Sequence, residues 1–328
     1  MLKVYLVLLF CAAFASAAPY FNATTYVYKT VGDLQIELDV YLPPKVAPPQ
    51  SGYPVFFAIH GGAYIFGNKK AAFTDQEFNE TMDRGWVVVS IDYRLVPGVI
   101  FDDMMEDIQD AWDWTRSNLT AIVPINPDLI TVFGQSAGGG LVVICGYKLI
   151  PRPAAVVSFY PAWTNWTVFK QKAISKLIVA DAKRLRTPVY ANYPEKGLKD
   201  PRTLLFIAAY EDHQLPWLMS TMDPKLPAEQ IAAKMVEYSA AENVDTQYPP
   251  TYLAHGLKDR AVNYTQSVQL SDQLEKHNVP HVLDLVPGAD HIFDYNTTFW
   301  QDHVLPAFDF VQKFMGTPAN KTVKLNYE

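Results

Sequence analysis

Apolar and polar positions change their period several times along the chain. Thr24 to Thr30 and Gln35 to Tyr41 alternate one by one around Val31-Gly32-Asp33, which predicts an exposed antiparallel hairpin at a sheet edge. Pro54 to His60 (PVFFAIH), Trp86 to Asp92 (WVVVSID), Ile130 to Phe133 and Ala154 to Tyr160 (AAVVSFY) are continuous apolar runs, the pattern of strands buried on both faces. Pro250 to His255 and His281 to Val286 read as two more strands. Between them lie stretches of helical spacing: Phe101 to Asn118, Ala137 to about Leu149, about Asn263 to His277, and Thr298 to Met315. In the first of these, Met105, Ile108 and Trp112 share a face, and Glu106, Asp107, Gln109 and Asp113 read as its solvated side. Strands alternating with helices predict an α/β fold around a mostly parallel sheet.

The strand pattern stops between Trp163 and about Tyr248. Amphipathic stretches at Phe169 to Arg184 and Ala228 to Ala241, several tryptophans and an ambiguous LLFIAA run at Leu204 to Ala209 predict a mainly helical cap inserted at 163–248. The expected core domain is then 18–162 together with 249–328. Aromatic residues in the insertion could line a pocket or only fill a small core.

Composition and targeting narrow the class. A formal charge of −7 over 328 residues, without a basic block, argues against nucleic acid and against an electrostatic membrane anchor. Met1 to Ala18 carries Lys3, an apolar run from Val4 to Phe14 and Ala15-Ser16-Ala17, the layout of a secretory signal peptide cleaved after Ala17; no later stretch is long and apolar enough to insert stably in a membrane. Cys11 leaves with that segment and Cys145 then stands alone, so no intrachain disulfide is expected. Asn-x-Thr sequons at Asn22, Asn79, Asn118, Asn165, Asn263, Asn296 and Asn320 suit a secreted glycoprotein, and any that are used must be exposed.

The candidate chemistry sits where strands end. Gly134-Gln135-Ser136-Ala137-Gly138 joins the Ile130 run to a helix, and G-x-S-x-G in that context is a turn that lifts a serine hydroxyl above the sheet at a helix N-terminus. His60-Gly61-Gly62-Ala63 follows a buried strand and can turn backbone N–H groups inward together. Asp259 and His291 each follow a later strand, so with Ser136 they fall on the one edge where parallel sheets bind ligands. A serine hydroxyl needs a base, which an imidazole of ordinary pKa near ~6.5 can supply at neutral pH. Asp259 would orient that imidazole, and the N–H groups of Gly62, Ala63 and Ala137 would hold an oxyanion. His60 and His255 flank this edge as structural histidines, and Asp294 reads as a solvated or supporting carboxylate. No His, Cys or Asp set has zinc spacing and no GxGxxG follows the first strand, so neither metal nor cofactor is expected.

Taken together, H-G-G-A-Y at His60 to Tyr64, D-Y-R-L-V-P at Asp92 to Pro97, G-Q-S-A-G-G at Gly134 to Gly139, H-G-L-K-D at His255 to Asp259 and Asp290-His291 resemble the hormone-sensitive-lipase-like carboxylesterases of the α/β-hydrolase superfamily. Two departures stand out. Ala63 occupies a position where that family often has a third glycine, and the mature chain starts directly with strands where the family often has a helical cap segment. The resemblance implies a serine carboxylesterase acting on small uncharged esters of short to medium acyl chains. The alternatives are a lipase, amidase or peptidase using the same three residues, or an inactive esterase-like binding glycoprotein.

Overall fold

A computed structural model describes residues 22–44, 46–166, 175–186, 188–189, 200–211, 213–223 and 225–316. The proposed signal segment, the sequon at Asn320 and the first residues of the Phe169 to Arg184 stretch lie outside them.

Alternation of side chains along each strand decides the layering. On β3 (Tyr53–Ile59), Val55, Phe57 and Ile59 enter one apolar layer, whereas Phe56 and Ala58 enter the other. The neighbouring strands β4 (Val87–Ile91), β5 (Ile125–Gln135) and β6 (Ala155–Phe159) divide in the same way. Both faces are therefore covered. α2 (Phe101–Ser117), α3 (Ala137–Lys148) and α8 (Thr265–Lys276) pack on the first face, α1 (Asp75–Asp83) and α9 (Leu305–Met315) on the second.

Among the described residues the sheet has eight strands. With β1 (Thr24–Val31), β2 (Leu34–Tyr41), β7 (Thr251–Gly256) and β8 (His281–Val286), the spatial order is β1-β2-β4-β3-β5-β6-β7-β8. β3 to β8 are parallel to one another, while β2 pairs antiparallel with both β1 and β4. The carboxyl ends of β3, β5, β7 and β8 consequently open onto one edge, which places four loops there.

The insertion is helical where it is described: α4 (Lys176–Arg184), α5 (Pro201–Glu211), α6 (Leu215–Ser220) and α7 (Ala228–Glu237). The Leu204 to Ala209 run is part of α5, and its ambiguity has a cause: Leu205, Phe206 and Ala209 are buried while Leu204 is about half exposed, so the apolar stripe runs past the buried face. Trp166, Phe206, Trp217 and Tyr238 belong to the same continuous core as Met104 and Trp112 of α2. Hydrogen bonds from Lys234 and Tyr238 to Asp102, and from Arg202 to the Val96 carbonyl, tie the insertion to the core at its polar rim.

Two local expectations are corrected. Asp107 is not on a solvated face. It is fully buried, because that side of α2 packs under the β1 hairpin, where it meets Lys29 Nζ at 2.9 Å and the Arg94 guanidinium at 2.7 Å. Glu106 beside it does reach solvent and pairs with the same two cations. The last helix does not begin as an α-helix at Thr298. Thr297–Phe299 is a 3₁₀ turn and Trp300–Val304 a π turn, and regular α-helix starts only at Leu305. Pro306 follows immediately and has no N–H with which to continue an i to i−4 ladder backwards.

Candidate active site

The turn after β5 makes Ser136 the first residue of the site. Ser136 has φ 55° and ψ −118°, a left-handed backbone for a residue with a side chain, at a cost of about 1–3 kcal/mol. Its surroundings hold it there: its N–H donates to the Phe159 carbonyl at 3.0 Å, and its own carbonyl accepts from Gly140 and Ala162. The flanking glycines are required by space. A Cβ on Gly134 would lie 2.5 Å from the Gly138 backbone, and one on Gly138 would lie 2.1 Å from the Ile59 carbonyl oxygen. The strand and helix thus touch, and the hydroxyl stands over the edge of the sheet.

His291 reaches that hydroxyl from the loop after β8. Its Nε2 lies 2.9 Å from Ser136 Oγ and its Nδ1 2.7 Å from Asp259 Oδ2. A carboxylate can only accept, so Nδ1 carries the hydrogen and Nε2 is free to accept from the serine. The Asp259 side chain is fully buried yet completely partnered. Oδ1 accepts from the N–H groups of Ala261 and Val262, both at 2.8 Å, and Oδ2 receives His291 and, at 3.1 Å, His255 Nε2. Burial pushes this carboxyl upward, but the His291 charge and hydrogen bonds from both histidines outweigh it and hold the group well below the usual carboxylate range. Asp259 is thus an ionised acceptor.

His255 was read from sequence as structural, and it is also the second donor to Asp259. Its Nδ1 meets Ser267 Oγ at 2.7 Å and its Nε2 the Val262 carbonyl at 3.1 Å, which orients the ring. A histidine four residues before the acid was the only hint available. Asp290 points away from the serine and accepts from Arg260 and from the N–H of His291.

The His60 to Tyr64 loop closes the other side. Gly61 runs past the serine, since a Cβ there would lie 3.5 Å from Ser136 Cβ. Gly62, Ala63 and Tyr64 all have positive φ, at 113°, 53° and 64°, which curls the loop so that the Gly62 carbonyl caps the N–H groups of Ile65 and Phe66. Ala63 lines the same cavity as Ser136 and His291. Ala137 is the first residue of α3, where an N–H has no partner within its own helix. His60 is locked under the loop by stacking on Tyr93 at 4.3 Å, and burial lowers its pKa to about 4, so it is neutral.

A small apolar cavity lies above Ser136. Trp163, Phe206 and Tyr210 of the insertion line it, opposite Ala162, Ala261 and Val262. Phe206 and Tyr210 could have been paired as i and i+4 only once α5 was known to be a helix. Asp294 is buried rather than solvated, and accepts from Tyr160 Oη and Gln135 Nε2. Asn22, Asn79, Asn118, Asn263 and Asn296 are exposed, but Asn165 is only 9% exposed, with its backbone N–H bonded to Gln266 Oε1. Among the described residues no cluster of His, Cys, Asp and Glu could hold a metal ion, and no helix is long and apolar enough to cross a membrane.

Comparison with known proteins agrees with this architecture. The BD-FAE family model matches residues 38–161, and that of the prolyl oligopeptidase family matches residues 203–317. A non-reducing polyketide synthase of Acremonium egyptiacum is 27% identical over 89% of this chain, which spans 15% of that protein's length. The thermophilic esterase Est2 of Thermogutta terrifontis superposes with a TM-score of 0.62 at 20% identity, covering 92% of this chain and 95% of the esterase; related structures hold it with butyrate and with propionate bound. An acetyl ester-xyloside bifunctional hydrolase from Caldicellulosiruptor lactoaceticus superposes at 0.61 with 18% identity, over 92% of this chain and all of that one. The fold is that of the α/β-hydrolases, and the site loops fall where the motifs at His60 to Tyr64 and Gly134 to Gly139 were read.

Proposed function

We propose that the protein is a serine carboxylesterase for small uncharged esters. The single observation carrying this reading is the continuous line of hydrogen bonds from Asp259 through His291 to Ser136, beneath an apolar cavity. Ser136 Oγ attacks the ester carbonyl as its proton passes to His291 Nε2. The imidazolium stays bound to ionised Asp259, and the N–H groups of Gly62, Ala63 and Ala137 take the developing oxyanion, each such donor being worth roughly 3–4 kcal/mol of barrier. Collapse expels the alcohol, which takes the proton from His291. Water then attacks the acyl-enzyme with His291 as base, and the acid leaves.

The lining supports the substrate class. Ala63, Ala162, Trp163, Phe206 and Val262 offer no charge to pair with an ionic acyl group, and burying one unpaired is costly. Short acyl chains suit a cavity bounded by three large aromatic rings, as do the propionate and butyrate seen in the Thermogutta esterase. Secretion belongs to the same proposal, resting on the Met1 to Ala17 pattern and five exposed sequons; amino-terminal sequencing of the exported chain should begin at Ala18. Similarity to segments of polyketide synthases favours, as a second reading, cleavage of an acyl thioester by the same nucleophile.

Turnover of p-nitrophenyl acetate, butyrate and octanoate tests the proposal. Wild type should prefer the shorter esters, and Ser136→Ala should lose at least about 10⁴-fold in kcat. Ser136→Ala activity equal to wild type would refute it.

A further inference from the structure

Behind the site lies a second acidic group that this mechanism does not use. Glu77 of α1 and Asp294 of the 3₁₀ turn Phe293–Tyr295 are 0% and 2% exposed, and among the described residues neither pairs with a lysine or arginine. The side-chain amide of Gln135, the residue before Ser136, bridges them with Nε2 at 3.1 Å from Glu77 Oε2 and 3.1 Å from Asp294 Oδ2.

Their remaining partners differ. Asp294 Oδ1 also accepts the Tyr160 hydroxyl at 2.5 Å. Glu77 Oε2 accepts the Thr74 N–H at 2.8 Å, but its Oε1 is buried without a partner. Two bare carboxylates cannot share such a space, since each raises the cost of ionising the other. Asp294, with both oxygens partnered, keeps the charge.

The charge on Asp294 has a route to the site. The Tyr160 ring lies 4.5 Å from the His291 ring, and a cationic His291 attracts Asp294. The other titratable groups facing the pair are Tyr160 and Tyr295, with Asp75 further out beyond Tyr295. His291 is the one group among these that can become cationic.

We propose that Glu77 and Asp294 share a single proton, which Glu77 keeps, and that the charge left on Asp294 acts beside Asp259 to position His291 and stabilise it as an imidazolium. This makes Asp294 a positioning residue for the esterase reaction and rests on the reading of His291 as the base. Burial supports the assignment, holding Glu77 well above the ordinary carboxyl range and raising Asp294 only to about 6, so that Asp294 is ionised at neutral pH.

Two isosteric variants separate the members of the pair. Asp294→Asn removes a charge, so the plateau of kcat/KM should fall about tenfold, and its acid limb should move to lower pH because the imidazolium is less favoured. Glu77→Gln replaces a group already neutral and should stay within about twofold of wild type. A wild-type profile for Asp294→Asn, or an equal displacement by both variants, would overturn the proposal. If Asp294→Asn does not fold, Tyr160→Phe should move the acid limb in the same direction by less, and an unmoved limb would count against it. An infrared readout needs no turnover. At neutral pH the carbonyl stretch of a protonated carboxylic acid should be present in wild type, retained in Asp294→Asn and lost in Glu77→Gln. Absence of that band from wild type would refute the shared proton; its presence in a protein without esterase turnover would instead refute the functional reading.

Discussion

Two buried carboxylate neighbourhoods flank the same histidine, and burial has opposite outcomes in them. Around Asp259 every oxygen is met, by two backbone N–H groups and two imidazoles, and the carboxyl is held well below its ordinary range. Around Glu77 and Asp294 the donors are a bridging amide, a phenol and backbone N–H groups, with no lysine or arginine among the described residues, and both carboxyls are pushed upward. The contrast shows that depth alone does not set protonation. What decides it is whether the donors supplied at that depth outweigh the water removed.

The largest effect that would break this comparison lies on the Asp259 side. Asp259→Asn keeps the shape but offers His291 Nδ1 an amide in place of a carboxylate, which removes the charge and frees the wrong tautomer. kcat for p-nitrophenyl butyrate should fall by about 10⁴, with KM little changed. A loss below about tenfold would mean that the base is oriented from elsewhere. On the other side, the tenfold effect of Asp294→Asn sets the scale for a charge that acts through a neighbouring ring.

The smallest effect concerns stability rather than rate. His60 is buried and neutral with its pKa lowered to about 4, and its Nε2 has no partner among the described residues. In the unfolded chain the same imidazole takes a proton near ~6.5. As pH falls from there towards 4 the unfolded state binds the proton first, so stability drops, by about 3 kcal/mol from this group. Urea unfolding at a series of pH values should show that slope in wild type and a flatter one in His60→Gln. Equal slopes would place the acid sensitivity in other groups.

Much of the frame was legible because it depends on local periodicity. Continuous apolar runs marked β3, β4 and β6, and alternation marked β1 and β2. A parallel sheet then sends Ser136, Asp259 and His291 to one edge whatever the packing in between. The elements that escaped depend on contacts distant in sequence. Asp107 looked solvated because Lys29, 78 positions away, brings the covering hairpin over α2. Phe206 and Tyr210 gave no signal until α5 packed them towards Ser136, and Glu77 closes a capping box with Thr74, a local pattern that says nothing of its place behind the site. Asn165 satisfied a three-residue pattern yet lies in the seam between the insertion and α8, where Gln266 holds it.

The most direct measurement is where a fluorophosphonate ester attaches. Such a reagent captures only a serine activated by a nearby base, and digestion followed by mass spectrometry locates the adduct. The predicted result is one adduct per chain on Ser136, formed far more slowly in Asp259→Asn and absent in Ser136→Ala. An adduct on another residue, or none while ester turnover continues, would contradict the assignment of Ser136, His291 and Asp259 as the hydrolytic centre.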